Sequence, residues 1–189
     1  MASGWVVDDE GRIRRETIHR MTRRCLNWDY CGKGVYLITL VLNDRSRPIF
    51  GEISGESAET AFIALTELGA RIEAHFKRIS EFSPEIEVVG VQMMGEHLHG
   101  VLRVTSRLKK PLGEHLRGFK IGATKIAREF GLLPINGQGL GEAARGQGLF
   151  ADGFVDTILG DEEAEKKGIA YMLDNPRRYW LGEVMRKNS

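Results

Sequence analysis

The chain lacks any apolar run approaching the roughly 20 residues that a membrane-spanning helix needs. Its N-terminus, MASGWVVDDEGRIRRE, lacks the apolar centre of a secretory signal. Both absences lead to the expectation of a cytoplasmic protein. Cysteine is scarce, with only Cys25 and Cys31. Their spacing is neither a redox CxxC nor a zinc ribbon, and a disulfide framework is not expected in that compartment. A site built from His19, Cys25 and Cys31 would lack the fourth ligand and the tight pairs of structural zinc. Internal repeats and low-complexity linkers are also missing. Charge of one sign is missing too: 27 Lys and Arg face 26 Asp and Glu, for a net charge of +1. A nucleic-acid binder of this charge has to segregate its cations into patches.

Such segregation is present. GRIRRETIHRMTRR is basic, as is the stretch from Arg103 through Arg107, Lys109, Lys110, Arg117, Lys120, Lys125 and Arg128. The acids gather in GEISGESAET and GDEEAE. This asymmetry fits a polyanion partner, and it also fits ordinary solvated faces.

Periodicity gives the element order. Residues 1–32 read as a basic N-terminal arm, with a helical turn around Ile18 to Cys25. GVYLITLVLND, rich in β-branched residues and closed by Asn-Asp, reads as a strand, and RPIFGEIS as a short partner strand after that turn. A long helix is expected from an N-cap at Ser57, because Ala58, Ala61, Phe62, Leu65, Leu68, Ile72, Phe76 and Ile79 fall at helical spacing. SPE stops it. IEVVGVQMM and HLHGVLRVT follow as a hairpin around Gly95 and Glu96. A second helix runs from Leu112 to Phe130, with Arg117, Lys120 and Arg128 off its apolar stripe. The glycine-rich GLLPINGQGLGEAARGQG has no P-loop pattern and reads as a mobile connection. LFADGFVDTIL reads as the last strand. GDEEAEKKG opens a third helix with carboxylates at its N-terminus. That helix is expected to end near Asn175, ahead of Pro176, leaving a basic, aromatic tail.

Strand, helix, strand, strand, helix, strand is the split βαβ order. The expected fold class is therefore α+β: a ferredoxin-like antiparallel sheet with helices on one face, plus a C-terminal helix. The central hairpin carries His97 and His99. In a strand, residues two apart share a face, with Cα atoms about 6.6 Å apart. From there two imidazoles can reach one ion. A metal site and a structural histidine pair both fit this spacing. A (β/α)₈ metal hydrolase is typically about 250 residues with strict alternation, and a jelly roll has no long helices, so neither suits this chain. In the third helix Tyr171 and Asn175 stand at i and i+4 on one face. Gly168, one turn earlier, marks a close approach. The bland alternative is a core tyrosine and an asparagine cap.

GEHLHGVLRV, then LGEHLRGFKIGATKIARE, then FADGFVDTILGDEEAEKKGIAYMLDNP resembles the single-tyrosine HUH transposases, closest to the REP-associated and insertion-sequence transposases of bacteria. The resemblance covers residues 33–180, which read as one catalytic domain, with 181–189 as a tail. It departs at Gly95, Glu96, Phe150, Phe154 and Val155, and at no residue that matches a catalytic group. It implies that Tyr171 is the nucleophile and that His97, His99 and Asn175 hold a divalent metal, Mg²⁺ or Mn²⁺ by ligand type, with Zn²⁺ also compatible. The implied reaction nicks and rejoins single-stranded DNA through a 5′-phosphotyrosine. The implied partner is single-stranded DNA with a hairpin, the implied location the bacterial nucleoid when bound, and a homodimer is a possible assembly. Arg117, Lys120, Arg128, Arg177 and Arg178 are candidates for phosphate contacts, and Tyr179 and Trp180 for base stacking. Two further readings are a domesticated relative that binds hairpins without cutting, and a ferredoxin-like metal protein unrelated to nucleic acid.

Overall fold

The computed structural model describes residues 5–7, 13–15, 28–133 and 148–187. The helical turn expected near Ile18 to Cys25 and the glycine-rich segment 134–147 lie outside the described residues. Two short strands, β1 (Trp5–Val7) and β2 (Ile13–Arg15), pair antiparallel.

The central sheet is built from β3 (Gly34–Val41), β6 (Ile86–Met93), β7 (His97–Val104) and β8 (Val155–Leu159). Its order is β6-β7-β3-β8, and every neighbouring pair is antiparallel. With the intervening helices this is the ferredoxin-like sheet that the element order predicts. Period-two alternation splits its faces. Tyr36, Ile38, Leu40, Leu98 and Leu102 point to one side. There they bury against Leu68, Ile72 and Phe76 of α1 (Glu67–Lys77) and Leu112, Leu116, Phe119 and Ala123 of α3 (Leu112–Glu129). The short α2 (Ile79–Phe82) follows α1 directly.

Gly100 of β7 lets α1 approach. A Cβ there would sit 2.4 Å from Cζ and 2.7 Å from Cε1 of Phe76, a ring already held edge-on by Phe119. Overpacking of this kind costs about 1–3 kcal/mol. Gly100→Ala is expected to lower the urea midpoint by that amount without changing the slope. An unchanged midpoint would mean that Phe76 has room to move.

Three expectations are corrected. The first helix starts at Glu67, with Thr66 as N-cap accepting from the Gly69 N–H at 3.0 Å. Ser57 instead sits in a turn held by Thr60. Phe62–Leu65 forms strand β5, paired with β4 (Gly51–Ser54), so RPIFGEIS joins this hairpin and not β3. A short apolar run fits a strand and a helix equally well by spacing, and Thr66 decides where the helix begins. The last strand is shorter than expected: Phe150 makes an isolated bridge to Leu42, and Gly153, at φ 71°, turns the chain before β8.

The opposite sheet face carries Val101, Leu159 and one helix, α4 (Glu162–Leu173), which buries Gly168 and Met172. Asp161 caps it by accepting from the Ala164 N–H at 2.7 Å. Arg103, on the same face of β7, donates to Glu87 at 2.6 Å and to Glu165 of α4, pinning the helix across the sheet. Gly168 rides on Leu159, whose Cδ1 would lie 2.9 Å from an added Cβ. The third helix breaks at Asp174, close to the expected end near Asn175, and the tail forms a further helix, α5 (Asn175–Lys187), within which the domain boundary read at residue 180 falls. Proline is tolerated in a first turn, where its missing N–H has no intrahelical role. Among the described residues no helix is long and apolar enough to cross a membrane.

Candidate active site

His97 and His99 alternate in phase with Val101 and Arg103, so they share the face that α4 crosses. His99 lies between Thr39 of β3 and Gln92 of β6 in register. Its Nδ1 is 2.9 Å from Thr39 Oγ1. The Nδ1 of His97 is 3.2 Å from Glu96 Oε1. The two Nε2 atoms meet at 3.1 Å, with the rings nearly perpendicular. A carboxylate accepts but does not donate, so Nδ1 of His97 carries the proton and Nε2 keeps its lone pair. Glu96 and Thr39 thus hold the outer nitrogens while the inner pair converges. Two nitrogens this close can bond one ion at about 2.0–2.1 Å each, and outer-nitrogen partners are the usual support of metal-bound histidines.

Burial favours the neutral rings. His99 is only 7% exposed. Burial, then the neighbouring His97, pushes its pKa from the ordinary 6.5 down to about 4. Burial lowers that of His97 as well, against the opposing pull of Glu96. Neutral imidazole is the ligating form. Below pH 6.5 the unfolded chain therefore binds protons that the folded chain refuses. Stability is full above pH 6.5 and is lost as pH falls toward about 4, by up to roughly 3 kcal/mol for His99. The melting temperature of metal-free protein is expected to fall across this window, and that of His99→Gln to fall less. Parallel profiles for the two would place the acid sensitivity elsewhere.

Tyr171 projects from the last turn of α4. Its ring lies 6.2 Å from the His99 ring, edge-on, and is 45% exposed. The Arg178 guanidinium sits over the Tyr171 ring at 4.7 Å. Asn175 stands one turn beyond, and its Nδ2 donates to the carbonyls of Tyr171 (2.9 Å) and Met172 (3.1 Å). It therefore caps α4, which leaves Oδ1 as its atom able to ligate. Among the described residues no three His, Cys, Asp or Glu side chains converge as metal ligands. The donors that the structure brings together on this face are the two imidazole Nε2 atoms.

The basic residues divide. Arg177 and Arg178 begin α5 beside Tyr171, with Arg177 3.6 Å from Asp174. Arg117, Lys120 and Arg128 stand on α3, across the sheet from the histidines. Arg117 and Lys120 line a cavity of about 330 Å³ with Phe154. The Lys120 ammonium donates to the carbonyls of Ala151 (2.6 Å) and Gly153, so it tethers the loop before β8. Sequence reasoning missed Thr39 and Gln92 as neighbours of His99. Strand register places them there, and no local motif signals it.

The chain shares its ferredoxin-like fold with a solved tyrosine transposase, and on that fold it carries a His-x-His pair at the sheet centre and a tyrosine helix across the same face. The REP-associated tyrosine transposase bound to a REP hairpin superposes with a TM-score of 0.54 at 13% identity, covering 82% of this chain and 74% of that one. A transposase candidate from Deinococcus radiodurans covers 81% of this chain and 96% of its own at 12% identity, and its TM-score of 0.43 is too low to argue from. In sequence, an uncharacterized protein of Haemophilus influenzae is 24% identical over 131 residues, spanning 59% of this chain and 69% of that one. No family model matches the chain. At these identities the likeness speaks for the fold.

Proposed function

We propose that this protein is a metal-dependent transposase that cuts and rejoins single-stranded DNA beside a hairpin, through a phosphotyrosine at Tyr171. The observation that carries this reading is the placement of an accessible phenol, 6.2 Å ring to ring from the buried His99, whose imidazole converges with that of the half-buried His97. The hairpin in the neighbouring transposase supports the choice of partner.

His97 and His99 would hold the ion, with Asn175 Oδ1 as third donor. When bound, such an ion draws charge from a phosphate oxygen and stabilises the crowded phosphorus. Tyr171 supplies the nucleophile: its hydroxyl gives its proton to water as its oxygen bonds to phosphorus, the bond to the 3′ oxygen breaks, and that oxygen takes a proton from water and leaves as a hydroxyl. The number of phosphoester bonds is conserved, so a second 3′ hydroxyl can reverse the step without ATP. Arg178 stacks on the phenol and favours the negative charge that develops there during attack. Arg103, Met172 and Gly168 hold α4 against the sheet and so fix the approach of Tyr171. His99 and Tyr171 meet within one chain, which supports a site assembled in cis.

The test is incubation with labelled hairpin DNA carrying single-stranded flanks, with Mn²⁺ or Mg²⁺, on a denaturing gel. A retarded covalent band is expected. Tight binding without a band would leave the non-cutting hairpin binder. Absence of both would reject a nucleic-acid role.

A further inference from the structure

Exposed apolar side chains cluster beside this site. Phe62 is 54% exposed, Leu65 37% and Leu173 57%. All three line a single cleft of about 300 Å³, with Glu73, Gln92 and Pro176. The cleft adjoins the candidate active site from two directions. Gln92 is the residue paired with His99, one strand spacing of about 4.8 Å away, and Leu173 ends the helix that carries Tyr171. Soluble proteins gather exposed apolar side chains where something covers them. Continuity with Tyr171 and His99 says what does so here, given the proposed function on which this inference rests.

We infer that the cleft takes one unpaired base of the bound strand, next to the phosphate that Tyr171 attacks. Phe62 supplies a flat aromatic surface for stacking, and Leu65 and Leu173 supply apolar walls. The polar groups set the preference. The Gln92 amide nitrogen donates to the Met93 carbonyl at 2.9 Å, so the side chain offers the base its oxygen. Glu73 accepts from Lys77 at 3.0 Å through one oxygen, and a carboxylate has further acceptor capacity. Two acceptors select a base edge with an exocyclic amino group. Adenine, cytosine and guanine carry one and thymine does not, so the cleft discriminates against thymine. β4 and β5, inserted between the first strand and the first helix of the sheet, build one wall, so this hairpin acts as a specificity element.

The test uses the full chain carrying Tyr171→Phe, which leaves the DNA intact, and hairpin DNA with an abasic site moved along its single-stranded flanks. One position is expected to weaken binding about tenfold when abasic, and nearly as much when thymine. Phe62→Ala should weaken the unmodified DNA by a similar factor and erase the sensitivity at that position alone, and Phe62→Tyr should restore both. A flat abasic scan, or sensitivity unchanged by Phe62→Ala, overturns the base pocket. The unsubstituted protein separates the two ideas. A covalent band with a flat scan rejects the pocket and keeps the transposase, and loss of both band and binding rejects the two together.

Discussion

Tyr171→Phe is expected to abolish the covalent protein–DNA adduct while leaving hairpin binding within about twofold, as read on denaturing and native gels of the same samples. The substitution removes one oxygen and little else. The ring keeps its edge contact with His99 and its place under Arg178. The side chain is half-exposed and its hydroxyl is not part of the core, so the effect on stability should stay within about 0.5 kcal/mol. The loss of rate is large because the nucleophile is chemically absent, and the expected drop is at least about 10⁴-fold. Water could still attack, but it would leave a nicked strand with no protein attached. Nicked DNA without the adduct would therefore keep the site and remove only covalent catalysis. An adduct that persists in Tyr171→Phe would point to another nucleophile. Tyr179, half-buried on α5, would be the next residue to substitute.

The order of the main elements was legible because two periods seldom fail over long segments. Strand alternation in GVYLITLV and HLHGVLRV assigned every side chain to a face, and so placed His97 and His99 together. Apolar spacing along the 18 residues of α3 did the same for the helix layer. The acidic run GDEEAE marked where α4 opens, and Asp161 within it is the cap. Legibility failed where a segment is short or where meaning depends on pairing. Phe62–Leu65 carries too few residues to reveal a period, and its strand identity comes from pairing with Gly51–Ser54. Thr39 is 60 residues from His99, and only register brings its hydroxyl to Nδ1. Arginine and lysine side chains advertise charge, not destination. Lys120 donates to two carbonyls and Arg178 covers an aromatic face, contacts that charge alone does not announce. Asn175 shows the same limit: the asparagine cap and the residue one turn past the tyrosine are one side chain, whose nitrogen serves the helix while its oxygen is left to ligate.

Replacing either histidine by alanine is expected to lower metal-stimulated cutting by about 10²–10³-fold, because a two-imidazole site cannot lose one donor and retain its ion. Activity alone would not separate ligation from folding, since the variants differ in what they leave behind. His99→Ala empties a buried position and strands the Thr39 hydroxyl, a penalty of about 1–3 kcal/mol. His97→Ala strands only Glu96, which lies nearer the surface. Titration of Mn²⁺ alone, followed by calorimetry or by the paramagnetic signal of the free ion, reads ligation directly. Both variants should lose saturable binding, although only His99→Ala should melt clearly lower. Glu96→Gln supplies the graded case. It keeps an oxygen beside Nδ1 of His97 but removes the charge that raises ring basicity, so Mn²⁺ affinity should fall about tenfold with the fold intact. If both histidine variants bind Mn²⁺ as the unsubstituted protein does, the 3.1 Å contact between the imidazoles is a structural pair and not a metal site.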